Sequence, residues 1–394
     1  MGALSGLKVL DCTHVIAGAY CSLVLADLGA DVIKIEPPSG ESTRALRGGG
    51  FRAYDFVNRN KRAIALDLST ERGADVVRKL AKTADVFVEN YRPGALDRMG
   101  LGYAQLAAIN PRLVYCSVSG FGGDGPYKDR GGFDLVTQAM SGLMSYIGEQ
   151  GSQTPCSTAV PISDLNAGLF GAIGVLAALQ SRAASGKGQH VESSLFESAM
   201  AATLWETGRF LTSGELPTRT GTRHRLAAPY EALKTADGHM VVGVNSQRLW
   251  SRFCEALGEP GLVDDASFNS PGNRMKNRDA LQARLETILA SDTSANWVLR
   301  LEAVGVPAGP LNDLAQAWDD PQIVARGMLA EVDGRRFVRT PIKLHDTPVA
   351  LTRGPAEVGE HTREVLAQAG FASDDIEALI AEGAAATERK EASA

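Results

Sequence analysis

The first 120 residues alternate short β-branched runs with stretches of helical spacing, and this alternation constrains the fold more than any other feature. Helical spacing predicts helices over 17–28 and 70–83. Four runs rich in Val, Ile and Leu are typical of buried strands: LKVLDC (7–12), ADVIKIE (30–36), ADVFVEN (84–90) and RLVYCSVSG (112–120). Strands that alternate with helices favour a parallel sheet covered on both faces, so the sequence predicts an α/β fold.

The rest of the chain predicts further helices and a second, smaller domain. From Pro229 the segment YEALKTADGHMVVGVN is typical of a hairpin around Asp237 and Gly238. We take 225–325 as a smaller α+β domain and expect a strand pair near 327–341. The helical patterns lie at 134–147, 163–185, 193–213, 246–257, 276–291, 293–303, 361–369 and 373–382.

Composition argues against several classes of protein. Forty Lys and Arg against 46 Asp and Glu give a formal charge of −6, the wrong sign for a sequence-independent nucleic-acid binder. No apolar run reaches the roughly 18–20 residues that span a bilayer, and the N-terminus lacks the segments of a signal peptide. Five scattered cysteines and six dispersed histidines favour neither disulfides nor a metal site. We therefore expect a cytoplasmic protein that binds no nucleic acid, membrane or metal.

Residues 120–125 form a glycine motif, GFGGDG, that matches GxGxxG and follows a predicted strand. The pattern supports a dinucleotide-binding hypothesis, and hence an NAD-linked dehydrogenase. However, Pro126 and YKDRGG follow where a phosphate-binding helix would begin. A mobile glycine loop is therefore the preferred interpretation.

Asp164 lies in PISDLNAG (161–168), directly before the apolar helical pattern LFGAIGVLAAL. Helix capping by Ser163 or Asp164 explains a polar residue at this position. Chemistry offers a second explanation, because peptide N–H groups at the positive end of a helix keep a partly buried carboxylate ionised. An ionised carboxylate can attack a thioester. The residues alone leave both explanations open.

Two basic segments are candidate anion sites. NYRPG (90–94), with Arg98, follows a strand at the edge where open α/β sheets bind ligands, although a solvated turn or a surface ion pair is the alternative. RTGTRHR (219–225) is either a solvated linker or a site for a substrate carboxylate. Positive charge useful for phosphates also comes from Arg44, Arg59, Lys61 and Arg62.

Eight motifs follow one another along the chain: LKVLDCTHVIAG (7–18), LGADVIKIE (28–36), NKRAIALD (60–67), VENYRPG (88–94), DRMG (97–100), GKGQ (186–189), GVPAGP (305–310) and GEHT (359–362). In order and spread they resemble the class III CoA-transferases, a family that includes carnitine CoA-transferase and α-methylacyl-CoA racemase. The resemblance implies a Rossmann-like large domain of residues 1–224 completed by 326–394, and a small domain at 225–325. It also implies a homodimer of interlocked subunits.

The same resemblance implies roles for individual residues. Asp164 matches the family's catalytic aspartate at the head of a helix. Pro37 stands where some members carry a basic residue on the adenine side. Acyl-CoA and a small carboxylic acid would be substrates, with no permanently bound cofactor. The residues that match CoA contacts are Val15, Ile16, Ala17, Leu66, Asn90, Tyr91, Arg92, Arg98 and Met99.

Within the family the residues favour acyl transfer through an anhydride and an aspartyl-CoA thioester on Asp164. The racemase branch has a histidine where this chain has Phe133, which cannot accept a proton. The segment GTRHRLAAPYEAL (221–233) resembles enzymes that use succinyl-CoA and dicarboxylic acids, so Arg223, His224 and Arg225 are candidates for holding a substrate carboxylate. Residues 120–125 could form a lid that excludes water. A racemase and a non-catalytic acyl-CoA-binding protein are the alternatives.

Overall fold

The computed structural model describes residues 1–48 and 51–389. The described strands are β1 (Lys8–Cys12), β2 (Asp31–Glu36), β3 (Arg47–Gly48), β4 (Phe51–Arg52), β5 (Lys61–Leu66), β6 (Val86–Glu89), β7 (Val114–Ser119), β8 (His190–Ser194), β9 (Tyr230–Lys234), β10 (His239–Gly243), β11 (Ala308–Pro310), β12 (Leu329–Val332), β13 (Arg335–Val338) and β14 (Ala385–Ala386). The four strands predicted in the first 120 residues are confirmed as β1, β2, β6 and β7.

The described helices match most of the predicted helical patterns to within a few residues. The pattern at 134–147 divides into two helices, and the pattern at 193–213 begins inside strand β8. The helices are α1 (Ala17–Asp27), α2 (Ala53–Asn58), α3 (Glu71–Ala81), α4 (Ala95–Arg98), α5 (Tyr103–Ile109), α6 (Asp134–Met140), α7 (Leu143–Tyr146), α8 (Ile162–Ser185), α9 (Leu195–Ala202), α10 (Leu204–Ser213), α11 (Gln247–Ala256), α12 (Pro271–Lys276), α13 (Arg278–Leu289), α14 (Ser294–Ala303), α15 (Leu314–Trp318), α16 (Pro321–Ala325), α17 (Thr362–Gln368) and α18 (Ser373–Ala381).

A seven-stranded sheet organises the larger of two compact units, in the order β14-β5-β2-β1-β6-β7-β8. Six strands run parallel, and β14 pairs antiparallel with β5. Side chains alternate across the sheet: Leu10 and Phe87 lie in a core cluster with residues of α3, α5, α17 and α18, whereas Val9 and Val88 lie in a cluster with residues of α1 and α8. The predicted α/β fold with a largely parallel sheet, covered on both faces, is therefore confirmed.

The second unit has its own core. Strands β9, β10 and β11 form an antiparallel sheet, and β9 and β10 are the predicted hairpin. Large side chains of α11, α13 and α14 fill the interior, including Trp250, Phe253, Leu285 and Trp297. An antiparallel sheet packed with these helices makes the second unit a small α+β fold.

The division between the units differs from the boundaries expected from sequence. The larger unit comprises 1–144, 157–215 and the chain from 326 onwards, and the smaller comprises 145–156 and 216–325. Residues 216–224 belong to the smaller unit because Arg219 donates to the carbonyl oxygens of Ile147 (3.0 Å) and Ser152 (2.6 Å). A backbone hydrogen bond from Gly221 to Gly148 adds to this pairing.

Helix α8 corrects the expectation that no segment is long enough to cross a bilayer. By length and composition alone, this helix could do so. In the fold it packs against α1, β7 and β8, and Ala167, Ala172 and Val175 lie in the core on that side of the sheet. Close helix packing therefore accounts for its small apolar residues.

Candidate active site

The turn after β1 carries a strained residue at the carboxyl edge of the sheet. Val15 has φ 60°, a left-handed conformation that β-branched residues rarely adopt. The Glu41 carboxylate accepts a hydrogen bond from Val15 N at 3.1 Å. The Asn90 side chain accepts from His14 N and donates to His14 O, both at 2.7 Å. Asn90, which follows β6, and Glu41, which follows β2, thus hold the turn in its strained conformation.

A buried network of charged and polar side chains around Asp11 lies next to this turn. Asp11 accepts hydrogen bonds from Thr13 N (3.0 Å), Ser22 Oγ (2.6 Å) and Lys61 Nζ (2.8 Å), and all four side chains are buried. Burial alone would raise the pKa of Asp11, but Lys34 and Lys61 hold it well below its usual range. Burial lowers the pKa of Lys61 to about 8. The network therefore fixes the first strand and its turn.

The four basic residues predicted to be useful for phosphates each have a carboxylate partner within the fold, and their use for phosphates stays a prediction. These ion pairs lie in buried or partly buried parts of the large unit, where an unpaired charge is costly. The pairs are Arg44 with Glu36 (2.7 Å), Arg59 with Asp27 (2.5 Å), Lys61 with Asp11 (2.8 Å) and Arg62 with Asp31 (2.6 Å).

Asp164 lies in the first turn of α8, but neither it nor Ser163 caps the helix. Pro161 occupies the N-cap position, and the Asp134 carboxylate accepts from Ser163 N at 2.8 Å. Among the described residues, no donor makes a hydrogen bond to the Asp164 carboxylate. Burial, and then the charge of Asp134, raise the pKa of Asp164 to about 7. At neutral pH, burial therefore opposes the ionised state that was expected for a carboxylate at this helix end.

Asp164 lines a cavity of about 230 Å³ in the large unit. It is the one carboxylate among the described residues around this cavity. Three basic side chains, Arg92, Lys128 and Arg130, are also part of the lining. The predicted CoA residues in the lining are Val15, Ile16, Ala17, Asn90, Tyr91 and Arg92.

Three predicted CoA residues lie outside this lining. Leu66 ends β5 and is buried in the core of the large unit. Arg98 ends α4 and is exposed, and Met99 packs against the same core as Leu66. Their part in CoA binding stays a prediction.

Lys128 and Arg130 are cavity residues that the sequence reasoning missed. They belong to the loop between β7 and α6, which follows the glycine motif. Gly120 and Gly132 let the two ends of this loop meet, since a side chain at residue 132 would lie 2.5 Å from Gly120 Cα. The sequence signal that could have identified them is a pair of basic residues in the loop that follows a predicted strand. The loop continues to Asp134 before a helix begins, which contradicts the dinucleotide-binding hypothesis.

Arg223 makes its described contacts within the smaller unit. Its guanidinium donates to Glu231 (3.1 Å), Gln150 (2.7 Å) and Asp279 (2.7 Å), and also to Gln282. Glu231 is buried, so Arg223 neutralises a charge of the smaller unit's own core. The described hydrogen bonds of the Arg223 guanidinium are therefore structural contacts within the smaller unit.

The neighbours of Arg223 also contact their own unit. His224 stacks on Tyr230 with ring centroids 4.7 Å apart. Arg225 donates to the carbonyl oxygen of Thr218. The predicted role of this segment in binding a substrate carboxylate stays a prediction for His224 and Arg225.

The fold and this cavity define an α/β enzyme that places one carboxylate among basic side chains at the carboxyl edge of a parallel sheet. No group of three or more His, Cys, Asp or Glu in residues 1–48 and 51–389 is arranged to hold a metal. The model of the CoA-transferase family III matches residues 4–362. The chain therefore belongs to CoA-transferase family III, and it is a CoA-transferase.

Similar proteins cover nearly the whole chain. A succinate–glutarate CoA-transferase of Agrobacterium fabrum is 36% identical over 381 residues, covering 93% of this chain and 95% of the relative. A succinyl-CoA:glutarate CoA-transferase of Mus musculus is 35% identical, covering 97% and 90%. The crystal structure of a CAIB/BAIF family protein from Brucella suis superposes with a TM-score of 0.85 at 37% identity, covering 93% of this chain and 99% of that one.

Proposed function

We propose that the chain moves CoA from succinyl-CoA to a dicarboxylic acid, with Asp164 as the acyl carrier. The observation that carries this proposal is that Asp164 is the one carboxylate among the described residues around the cavity. With a pKa of about 7, it is about half ionised at neutral pH, which supplies a nucleophile without a separate base. The named substrates of the relatives from Agrobacterium fabrum and Mus musculus support the choice of acids.

The proposed reaction exchanges acyl bonds of similar energy and needs no ATP. An Asp164 oxygen attacks the donor thioester carbon, the C–S bond breaks, and CoA leaves as a thiolate. A mixed anhydride between Asp164 and the donor acid remains. The thiolate attacks the Asp164 carbonyl carbon, which releases the donor acid and forms an aspartyl-CoA thioester. The acceptor carboxylate attacks the carbonyl carbon of that thioester, the C–S bond breaks, and CoA leaves again as a thiolate, which gives a second anhydride. Thiolate attack on the acceptor's acyl carbon then releases the new acyl-CoA and restores Asp164.

Charge on the carbonyl oxygen in these steps needs hydrogen-bond donors. The backbone N–H groups of Ile16 and Ala17 are suitable, because both residues line the cavity and neither N–H is hydrogen-bonded among the described residues. They begin helix α1, whose positive end favours a developing oxyanion. The strained turn at Val15 thus presents donors that cost no rearrangement during the reaction.

The racemase alternative lacks a base at the corresponding position. Phe133 lines the cavity, is 72% exposed and cannot exchange a proton. The acyl-CoA-binding alternative predicts CoA binding without transfer, which the experiment below separates.

We also propose the interlocked homodimer. Large apolar side chains of α8 and α10 are exposed: Ile173 at 59%, Leu204 at 78%, Trp205 at 66% and Leu211 at 76%. Apolar exposure of this extent is typical of an interaction surface. A partner copy would cover it, and sedimentation or light scattering in solution measures the state directly. A cytoplasmic location stays a prediction.

The test of the chemistry combines turnover with trapping. The protein is incubated with succinyl-CoA and a panel of acids, and the CoA esters are separated by chromatography. Borohydride reduces the acyl adduct, and mass spectrometry of peptides locates it at Asp164. Asp164→Ala should abolish both signals, whereas Asp374→Ala, which removes an exposed carboxylate in α18, should retain both. An active Asp164→Ala enzyme would refute the proposed mechanism.

A further inference from the structure

Two basic side chains at the cavity differ from the ion-paired basic residues singled out in this half of the chain. The side chains of Arg92 and Lys128 have no ion pair or hydrogen bond among the described residues. Arg130 stacks on Tyr127, with its guanidinium carbon 4.1 Å from the ring centroid. By contrast, Arg59 and Arg62 each pair with an aspartate. Positive charge without a partner thus lines the cavity that contains Asp164.

Arg92 and the loop that carries Lys128 form one side of the cavity. Arg92 follows β6, and its Nη2 atom lies 3.6 Å from the position that a side chain at Gly131 would take. The guanidinium therefore lies beside the loop backbone at Gly131. Arg92 and Lys128 consequently line the same cavity as the nucleophile.

We propose that Arg92 and Lys128 form the subsite for the distal carboxylate of a dicarboxylic acyl group. This inference rests on the proposed function, in which Asp164 reacts with the proximal carbonyl. Four C–C bonds of about 1.5 Å separate the two carboxyl carbons of a five-carbon diacid by about 5 Å. Asp164, Arg92 and Lys128 line one cavity of about 230 Å³. A guanidinium binds a carboxylate in a bidentate way, and a nearby ammonium adds a point charge.

The same subsite would select against monocarboxylic acids. With a monocarboxylic acyl group, Arg92 and Lys128 would have no carboxylate to bind, so that group would bind more weakly. The structure assigns this selection to the large unit, whereas Arg223 is committed to Glu231 and Asp279 in the smaller one.

The test compares glutarate with its monoamide, which has the same length but lacks the distal charge. In Arg92→Gln and Lys128→Gln, the KM for glutarate should rise at least tenfold, with kcat changed less than threefold. The KM or inhibition constant of the monoamide should change less than twofold. Lys82→Gln removes an exposed charge at the end of α3 and is the matched control. Unfolding midpoints confirm that each variant is folded.

Two results would overturn the subsite. An equal rise in KM for glutarate and its monoamide would show that Arg92 and Lys128 do not bind the distal carboxylate. A rise in the dissociation constant of free CoA, measured by calorimetry without any acid, would assign them to CoA phosphates. Failure of the proposed function is a separate outcome, because wild-type protein would then transfer CoA to neither acid.

Discussion

Replacement of Asp164 by asparagine is expected to abolish transfer and to stabilise the fold. Burial raises the pKa of this carboxyl from 3.8 to about 7. The folded state therefore binds the proton more tightly than the unfolded chain does. The stability of the wild-type protein that depends on this group is fully present below pH 3.8 and is lost as the pH rises through 7. Asparagine carries no charge, so the variant avoids this loss.

The two pKa values set the size of the effect. For a shift of the Asp164 pKa from 3.8 to about 7, the linkage relation predicts a stability difference between Asp164→Asn and wild type. This difference grows by about 2.5 kcal/mol between pH 5 and pH 8. Asp164 is only partly buried, and solvent access reduces the penalty for its ionised form. We therefore expect growth of about 1–2.5 kcal/mol, with a plateau above pH 8.

Urea unfolding at pH 5, 6, 7 and 8, at one protein concentration, measures this difference for wild type and Asp164→Asn. Burial also raises the pKa of Glu89 to about 7, but that group is present in both proteins and its contribution cancels. Asp374→Asn, at an exposed site, should show no such growth. A difference that stays flat with pH, or a variant less stable than wild type at pH 8, would refute the reasoning.

Three further predictions concern the neighbours of the site. Asp134→Asn removes the charge that contributes to the raised pKa of Asp164, so the rising limb of kcat/KM against pH should move about one unit lower; an unmoved limb contradicts this. Glu41→Ala removes the buried acceptor for Val15 N and should lower kcat/KM about 10–100-fold, and wild-type kinetics would contradict this role of Glu41. Arg223→Ala should cost about 2–3 kcal/mol in urea unfolding, and an altered KM for the diacid at wild-type stability would restore its predicted binding role.

Strands β5 and β8 of the large sheet were not predicted from their local sequence pattern. Strand β5 begins with Lys61 and Arg62, which look polar in sequence but are buried against Asp11 and Asp31. Strand β8 reads HVESS and has no apolar run at all. Both strands depend on pairing with neighbours distant in sequence, so a local pattern could not reveal them.

The position of Asp164 at the start of a helix was predictable, but its charge state was not. Asp164 precedes an apolar helix, and that much is local. Its pKa depends on burial and on Asp134, which lies 30 residues earlier and reaches the start of α8 through Ser163 N. Long-range packing therefore decides whether a carboxylate at a helix start caps the helix, stays ionised or is held near half protonation.

The sequence likewise could not separate structural from functional basic residues, since Arg44, Arg59 and Arg92 look alike in composition. The structure separates them by their partners. Arg44 and Arg59 offset acidic residues within the fold, whereas Arg92 faces the cavity with no partner among the described residues. A desolvated carboxylate and the strained Val15 each cost stability, and both line the same cavity as Arg92. Such costs persist where the surrounding structure enforces them, here through the buried network around Asp11.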